Sequence, residues 1–191
     1  SDVPTIVMKP AMTEASNSHP AHHGEVSGVD PEKALGWLKN GNMRFFKNRL
    51  RKDGQSAADV KRLSSGQKPH TIVLSCSDSR VPPEILFDQK LGEIFVVRTA
   101  GESLDDMGIG SIEYALSHLG ARHVLVLGHT HCGAVKAACA TLTGGDAGSS
   151  SLNALVKDMH PRLQEFKGKA NFSNGYTDET WASARGAALE L

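Results

Sequence analysis

The chain is short of the features that would commit it to a specialised partner or environment. It has three cysteines in 191 residues, an odd number that does not indicate a disulfide framework. Lysine plus arginine equals aspartate plus glutamate at 21 each, so no net field draws in nucleic acid or anionic lipid. No run of about 18 apolar residues is present, so no membrane-spanning helix is expected, and the charged-then-apolar layout of a signal peptide is missing. The glycines of Thr143 to Ser151 are not followed by Gly-Lys-Ser/Thr, which leaves a phosphate-cradling loop unsupported.

What is present is a hydrophobic content of 39%, enough for one well-buried α/β core and little for two. The expected division is an arm over residues 1–28 and a single α/β domain over 29–191. Ser1 to Gly28 is polar, broken by proline and without period, so it reads as disordered or as extended and ordered only against a partner. Its His19, His22 and His23 read as solvated tail residues. Because such an arm also remains after removal of an export signal, a periplasmic location stays open beside the cytoplasmic default.

The stretch that carries chemistry is Thr71 to Pro83, TIVLSCSDSRVPP. Thr71, Ile72, Val73 and Leu74 form a β-branched, apolar run between Lys68-Pro69 and Pro82-Pro83, which predicts a buried strand. Cys76, Asp78 and Arg80 then follow within five residues, where the strand gives way to a loop. In open parallel sheets ligands bind beyond the carboxyl ends of the strands. A lone cysteine there reads equally well as a small buried apolar residue. A second strand pattern, His123 to Gly128, ends in the same way with His129-Thr130-His131-Cys132-Gly133. If the two strands lie parallel and adjacent, Cys76, His129 and Cys132 converge. Two thiolates and an imidazole suit Zn2+, and three protein ligands leave a fourth position for water or substrate. Cys132 falls near a helix N-terminus, which favours a thiolate. Cys139, one stripe along the following helix from Val135, reads as core.

Asp78 and Arg80, two apart on extended backbone, point the same way, and an arginine can hold a carboxylate bidentately so that it stays ionised and aimed. Aimed at a metal-activated water, Asp78 would orient the nucleophile. The competing reading is an exposed salt bridge worth ~0 to 1 kcal/mol.

The remaining elements follow from capping and period. Asp30-Pro31-Glu32 opens a helix whose Leu35, Leu38, Asn42 and Phe45 form a stripe. Ser56 caps a second helix with Val60 and Leu63 facing inward, ended by Gly66. Pro82 to Phe87 is a short helix. Glu93 to Thr99 is a strand covered on both faces, and Gly108 to Leu119 a helix with Ile109, Ile112, Leu116 and Leu119 on one face. Ala134 to Leu142, Leu152 to Phe166 with a bend near Pro161, and Thr177 to Leu191 are further helices. Alternation of strand and helix predicts an α/β fold with a mainly parallel central sheet, flanked by helices and preceded by a helical arm.

CSDSRVPPE at 76–84, FVVRTAG at 95–101, SIEYA at 111–115 and GHTHCGAV at 128–135, in this order, resemble the β-class carbonic anhydrases. The resemblance runs from about Asp30 to about Ala140. It implies reversible hydration of carbon dioxide to bicarbonate and a proton at zinc held by Cys76, His129 and Cys132, with Asp78 also able to swing onto the metal as a fourth ligand. It places Gln67, Phe95, Ala100 and Tyr114 around the substrate pocket, Gln67 coming from a partner subunit, with the Gly133 amide nearby. It also implies a homodimer or a tetramer of dimers, and a further strand after the last helix that this chain ends without reaching. Two anionic ligands weaken a Lewis acid relative to three neutral histidines, the set found where zinc brings water to a pKa of about 7, so activity is expected to rise with pH above ~7. His131 is a candidate proton relay only. Other readings are hydrolysis of carbonyl sulfide or carbon disulfide on the same fold, or a closed structural or redox-sensing zinc module, for which an arginine-tied Asp78 is an awkward fourth ligand.

Overall fold

In the computed structural model, which describes residues 6–10 and 28–191, four strands build one sheet: Ile6–Pro10 (β1), Thr71–Cys76 (β2), Ile94–Thr99 (β3) and His123–Leu127 (β4). The order is β1-β4-β2-β3. β2 runs parallel to both β3 and β4, and β1 pairs antiparallel with β4 from Ile6↔Leu127 to Pro10↔His123. The parallel core is as expected. Within the arm, expected to be disordered or extended, residues 6–10 form an edge strand beside β4. His19, His22 and His23 lie outside the described residues.

β2 is buried over its whole length because it is flanked on both sides and covered on both faces. Alternation sends Ile72 and Leu74, with Val126, against Ile112 and Ala115 of the helix Asp106–His118 (α4 below) and Ala184, Ala187 and Ala188 near the chain's end. Val73, Leu125 and Leu127 face the other way, onto Leu38, Leu86 and Phe87.

Seven α-helices cover this sheet among the described residues: Pro31–Phe46 (α1), Ala57–Arg62 (α2), Pro83–Leu86 (α3), Asp106–His118 (α4), Gly133–Thr141 (α5), Ser150–Met159 (α6) and Thr177–Glu190 (α7). The caps follow the sequence. The Asp30 carboxylate accepts from the Glu32 and Lys33 amides at 3.0 and 3.2 Å, and Ser56 with Asp59 forms a reciprocal capping box. None of these helices is long and apolar enough to cross a membrane.

Several faces differ from expectation. α2 buries nothing and Val60 is 61% exposed, its six residues being held by their own capping box. β3 is half-buried beyond Ile94 because it is the sheet's edge. On α4 the buried residues are Gly108, Ile112 and Ala115, while Ile109 and Leu116 are exposed; the small residues let the helix close on the sheet. In α1, Ala34, Leu38 and Gly41 are buried, and Leu35, Asn42 and Phe45 only partly. At Pro161, which has no amide hydrogen to donate, the chain tightens into a 3-10 helix over His160–Phe166 instead of bending within one α-helix.

Two buried histidines sit at the amino end of the sheet. The His70 ring lies 2.9 Å from both Thr71 Oγ1 and Gln89 Oε1, and Thr71 Oγ1 is 3.0 Å from His123 Nδ1. Burial pushes the pKa of both imidazoles below the ordinary histidine value. A histidine kept neutral by the fold is protonated first in the unfolded chain. Its contribution is therefore complete above the unfolded pKa of about 6.5 and is lost as pH falls toward the lower folded values. Urea midpoints should hold steady above about pH 7 and decline below about 6.5. A His123→Asn chain with an undiminished decline would assign the acid sensitivity elsewhere.

Candidate metal centre

β2 and β4 end side by side, with Ser75 opposite Leu127, so the residues that follow each strand emerge at one place. Cys76 closes β2; Gly128 to Cys132 follow β4, and Cys132 occupies the position before the first turn of α5. The ligand atoms of Cys76, His129 and Cys132 lie within 4.8 Å of one another, and all three residues are buried. The two Sγ atoms are 3.9 Å apart. Tetrahedral zinc with bonds of about 2.3 Å to sulfur calls for a separation near 3.8 Å.

His129 supplies a second test of fit. Its Nδ1 donates to the Thr130 carbonyl at 2.8 Å, which leaves the lone pair on Nε2, and Nε2 is buried without a hydrogen-bond partner. An orphaned acceptor costs about 1–3 kcal/mol, which a metal bond relieves. The thiols point the same way. Cys132 hydrogen-bonds to Cys76, and together with His129 and the Gly101 amide this pulls the Cys76 pKa well below the ordinary thiol value. The same contact, burial and the Cys76 charge push Cys132 upward. Two thiolates this close repel each other, and a divalent cation is what allows both to ionise. The residues fit zinc.

Asp78 stands over the triad, with Oδ2 3.8 Å from His129 Nε2. The Arg80 guanidinium grips it through Nε to Oδ1 at 2.9 Å and Nη2 to Oδ2 at 2.7 Å, while the Arg80 amide donates to Oδ1 at 2.9 Å. These bonds hold the Asp78 carboxyl well below the usual carboxylate range. Arg80 also reaches the His131 carbonyl at 3.3 Å.

Two contributors were not legible in advance. Arg98, on β3, donates to the carbonyls of Cys76 at 2.9 Å and Asp78 at 2.7 Å, clamping the loop that carries both. Gly101, at φ 71°, turns its amide onto Cys76 Sγ at 3.2 Å, and a side chain there would strike Met159. The only advance signal was their place in the FVVRTAG run. Cys139 is buried beside the centre, its pKa pushed up to about 11 by burial.

The pocket residues separate into two groups. Ala100 and Gly133 adjoin the triad through Gly101 and Cys132. Phe95 pairs with Ile72, four residues before the Cys76↔Thr99 pair, which is about 13 Å along the sheet. Tyr114 lies 6.3 Å from Phe95 and stacks on His118 at 5.0 Å between ring centroids. His118 and Gln67 both line a cavity of about 990 Å³ together with Trp37, His70 and Glu93. Gln67, Phe95 and Tyr114 therefore gather at the amino end of the sheet, away from this chain's own triad. His131 is exposed and is not one of the clustered donors.

A mainly parallel α/β sheet with a buried Cys-His-Cys set at the carboxyl ends of two neighbouring strands is an open-sheet protein with a candidate metal site. The family model described as carbonic anhydrase matches residues 71–187. Carbonic anhydrase 2 of Mycobacterium tuberculosis strain H37Rv is 43% identical over 135 residues, covering 71% of this chain and 65% of that protein. The carbonic anhydrase of Mycolicibacterium smegmatis is 42% identical over 134 residues, 70% of this chain and 65% of its own length. The match thus spans just under two thirds of these relatives. Among solved structures, a tetrameric β-carbonic anhydrase from Sordaria macrospora superimposes with a TM-score of 0.55 at 19% identity, covering 81% of this chain and 77% of that one. The Coccomyxa β-carbonic anhydrase in complex with acetazolamide gives 0.52 at 24% identity, covering 82% and 68%. The chain belongs to the β-class carbonic anhydrase family.

Proposed function

We propose that this chain hydrates carbon dioxide reversibly to bicarbonate and a proton, with zinc held by Cys76, His129 and Cys132. The observation that carries the reading is the buried convergence of the Cys76, His129 and Cys132 ligand atoms within 4.8 Å of one another, facing a carboxylate that Arg80 keeps ionised. Zinc bound there would act as a Lewis acid that makes a water molecule nucleophilic near neutral pH. Asp78, fixed on two sides by Arg80, accepts the hydrogen bond of that nucleophile and turns its lone pair toward the carbon of the substrate. Gly133 offers an amide hydrogen in the first turn of α5, where helix amides have no internal acceptor, to an oxygen on which charge develops. Ala100 keeps the wall small and apolar, as a linear gas requires.

Gln67, Phe95 and Tyr114 enter the pocket by association of two copies, in which the amino-end patch of one chain covers the triad of the other. The half-buried edge strand β3 and the exposed Met107, Ile109, Tyr114 and Leu116 of α4 supply an apolar surface for that contact. A homodimer or a tetramer of dimers is the expected assembly.

Stopped-flow hydration by the zinc-loaded chain, set beside carbonyl sulfide and carbon disulfide hydrolysis, tests the substrate. Carbon dioxide should be turned over fastest, at a rate that rises with pH above ~7. Since Asp78 stays ionised through this range, such a rise reports the nucleophile. A flat profile, or faster hydrolysis of a sulfur-containing substrate, would overturn the reading. Gln67→Ala should lower turnover while zinc content stays unchanged, and an active monomer in sedimentation would contradict the shared pocket.

A further inference from the structure

The chain from His131 to Tyr176 joins the end of the molecule to the acid beside the metal centre through a series of hydrogen bonds. The His131 amide donates to the Gly175 carbonyl at 2.6 Å, across a separation of more than 40 residues. Both ends of this contact are in the left-handed region: His131 at φ 56°, Gly175 at 74° and, next to it, Tyr176 at 61°. For residues other than glycine this costs about 1–2 kcal/mol each, so the surroundings must impose it. They do so by packing. The His131 ring meets the Tyr176 ring edge-on at 5.7 Å, Tyr176 meets Phe172 at 4.9 Å, and Lys136 Nζ sits 5.8 Å from the centre of each of those two rings. Gly175 lies so close under His131 that a Cβ there would come within 2.9 Å of Nε2 and 3.3 Å of two ring carbons. The His131 carbonyl is thereby presented to Arg80, which holds it at 3.3 Å and Asp78 at 2.7 and 2.9 Å.

We propose that the turn Gly175-Tyr176 is a positioning element for the Asp78–Arg80 pair: by fixing His131 it presents a carbonyl that braces the Arg80 guanidinium, and so sets where Asp78 points. The role at Arg80 rests on the hydration reading, but the brace is a property of the chain that can be measured without turnover. The Arg80 side chain is 61% exposed, and among the described residues its guanidinium hydrogen-bonds to Asp78 and the His131 carbonyl. A displacement of an orienting group by about 1 Å can cost up to about a hundredfold in rate.

The zinc-loaded full chain is compared with Gly175→Ala, Tyr176→Gly, Arg80→Ala and the Gly175→Ala/Arg80→Ala double variant. Zinc content and kcat/KM for carbon dioxide are measured in each, and hydrogen exchange at the Arg80 Nε–H by nuclear magnetic resonance in the chains that keep Arg80. Gly175→Ala drives a methyl group into the His131 ring. Tyr176→Gly accepts its backbone conformation and only removes the ring packing, so it serves if the first variant does not fold. Both should keep zinc, speed Nε–H exchange about tenfold, and lower kcat/KM about tenfold to a hundredfold. Without Arg80, Gly175→Ala should add no further loss, because the two act through one contact. Unchanged Nε–H exchange in both variants, or a loss that persists in full without Arg80, would overturn the brace. If the wild-type chain shows no hydration, the catalytic reading fails and the exchange measurement alone judges the brace.

Discussion

Cys76→Ser is expected to yield a folded chain that retains no zinc after dialysis and hydrates carbon dioxide no faster than buffer. The serine hydroxyl is close in size to the thiol and fits the buried end of β2, so the far-ultraviolet circular dichroism should be unchanged. What is lost is the charge. A thiol whose pKa Cys132, His129 and the Gly101 amide pull well below its ordinary value gives up its proton readily to a bound cation, whereas a serine hydroxyl there does not. The remaining thiol and imidazole are one ligand short of the three that an open zinc site uses. Cys139→Ser is the control: its thiol is pushed up to about 11 by burial and lies outside the ligand set, so zinc content should stay at wild-type level. Full zinc in Cys76→Ser, or its loss in Cys139→Ser, would show that the wrong thiols had been chosen.

Asp78→Asn should have the second-largest effect and the opposite division between metal and rate. The amide keeps an oxygen to accept from the Arg80 amide, so the loop from Cys76 to Arg80 stays in place under the Arg98 clamp. Zinc content should match wild type. Hydration should fall by about 10²–10⁴, the usual range for a lost acid–base or orienting group. Because Arg80 holds the Asp78 carboxyl far below the ordinary carboxylate range, protonation of Asp78 does not shape the profile near neutrality. Wild type and Asp78→Asn should therefore differ by a constant factor between about pH 6 and 9. A difference that vanishes at the acidic end of that range would show that Asp78 titrates there. Equal rates throughout would reduce the pair to a surface salt bridge.

The contrast between these variants reflects how differently their residues could be read in advance. Cys76, Asp78 and Arg80 stood out because an apolar run breaks off into a thiol, a carboxylate and a guanidinium within five residues, a discontinuity visible without coordinates. The same break after His123 to Gly128 marked His129 and Cys132. Arg98 could not be distinguished from any other half-buried arginine on a strand, since its part is played on two main-chain carbonyls. Val60, Ile109 and Leu116 misled for the converse reason: periodicity tells which residues share a helix face, and the neighbouring elements decide whether that face is covered.

From its sequence alone this protein had its parallel α/β architecture, its candidate metal-ligating set and its acid–guanidinium pair, because strand runs, caps and reactive side chains are local properties of short segments. Tertiary structure alone decided which residues stand next to them. It put β1 on the edge beside β4, set Phe95 about 13 Å along the sheet from the triad with Tyr114 beside it and Gln67 at the same end, and brought Gly175 under His131. Those outcomes follow from strand register and from backbone hydrogen bonds between distant segments. Neither leaves a mark in the type of any one residue.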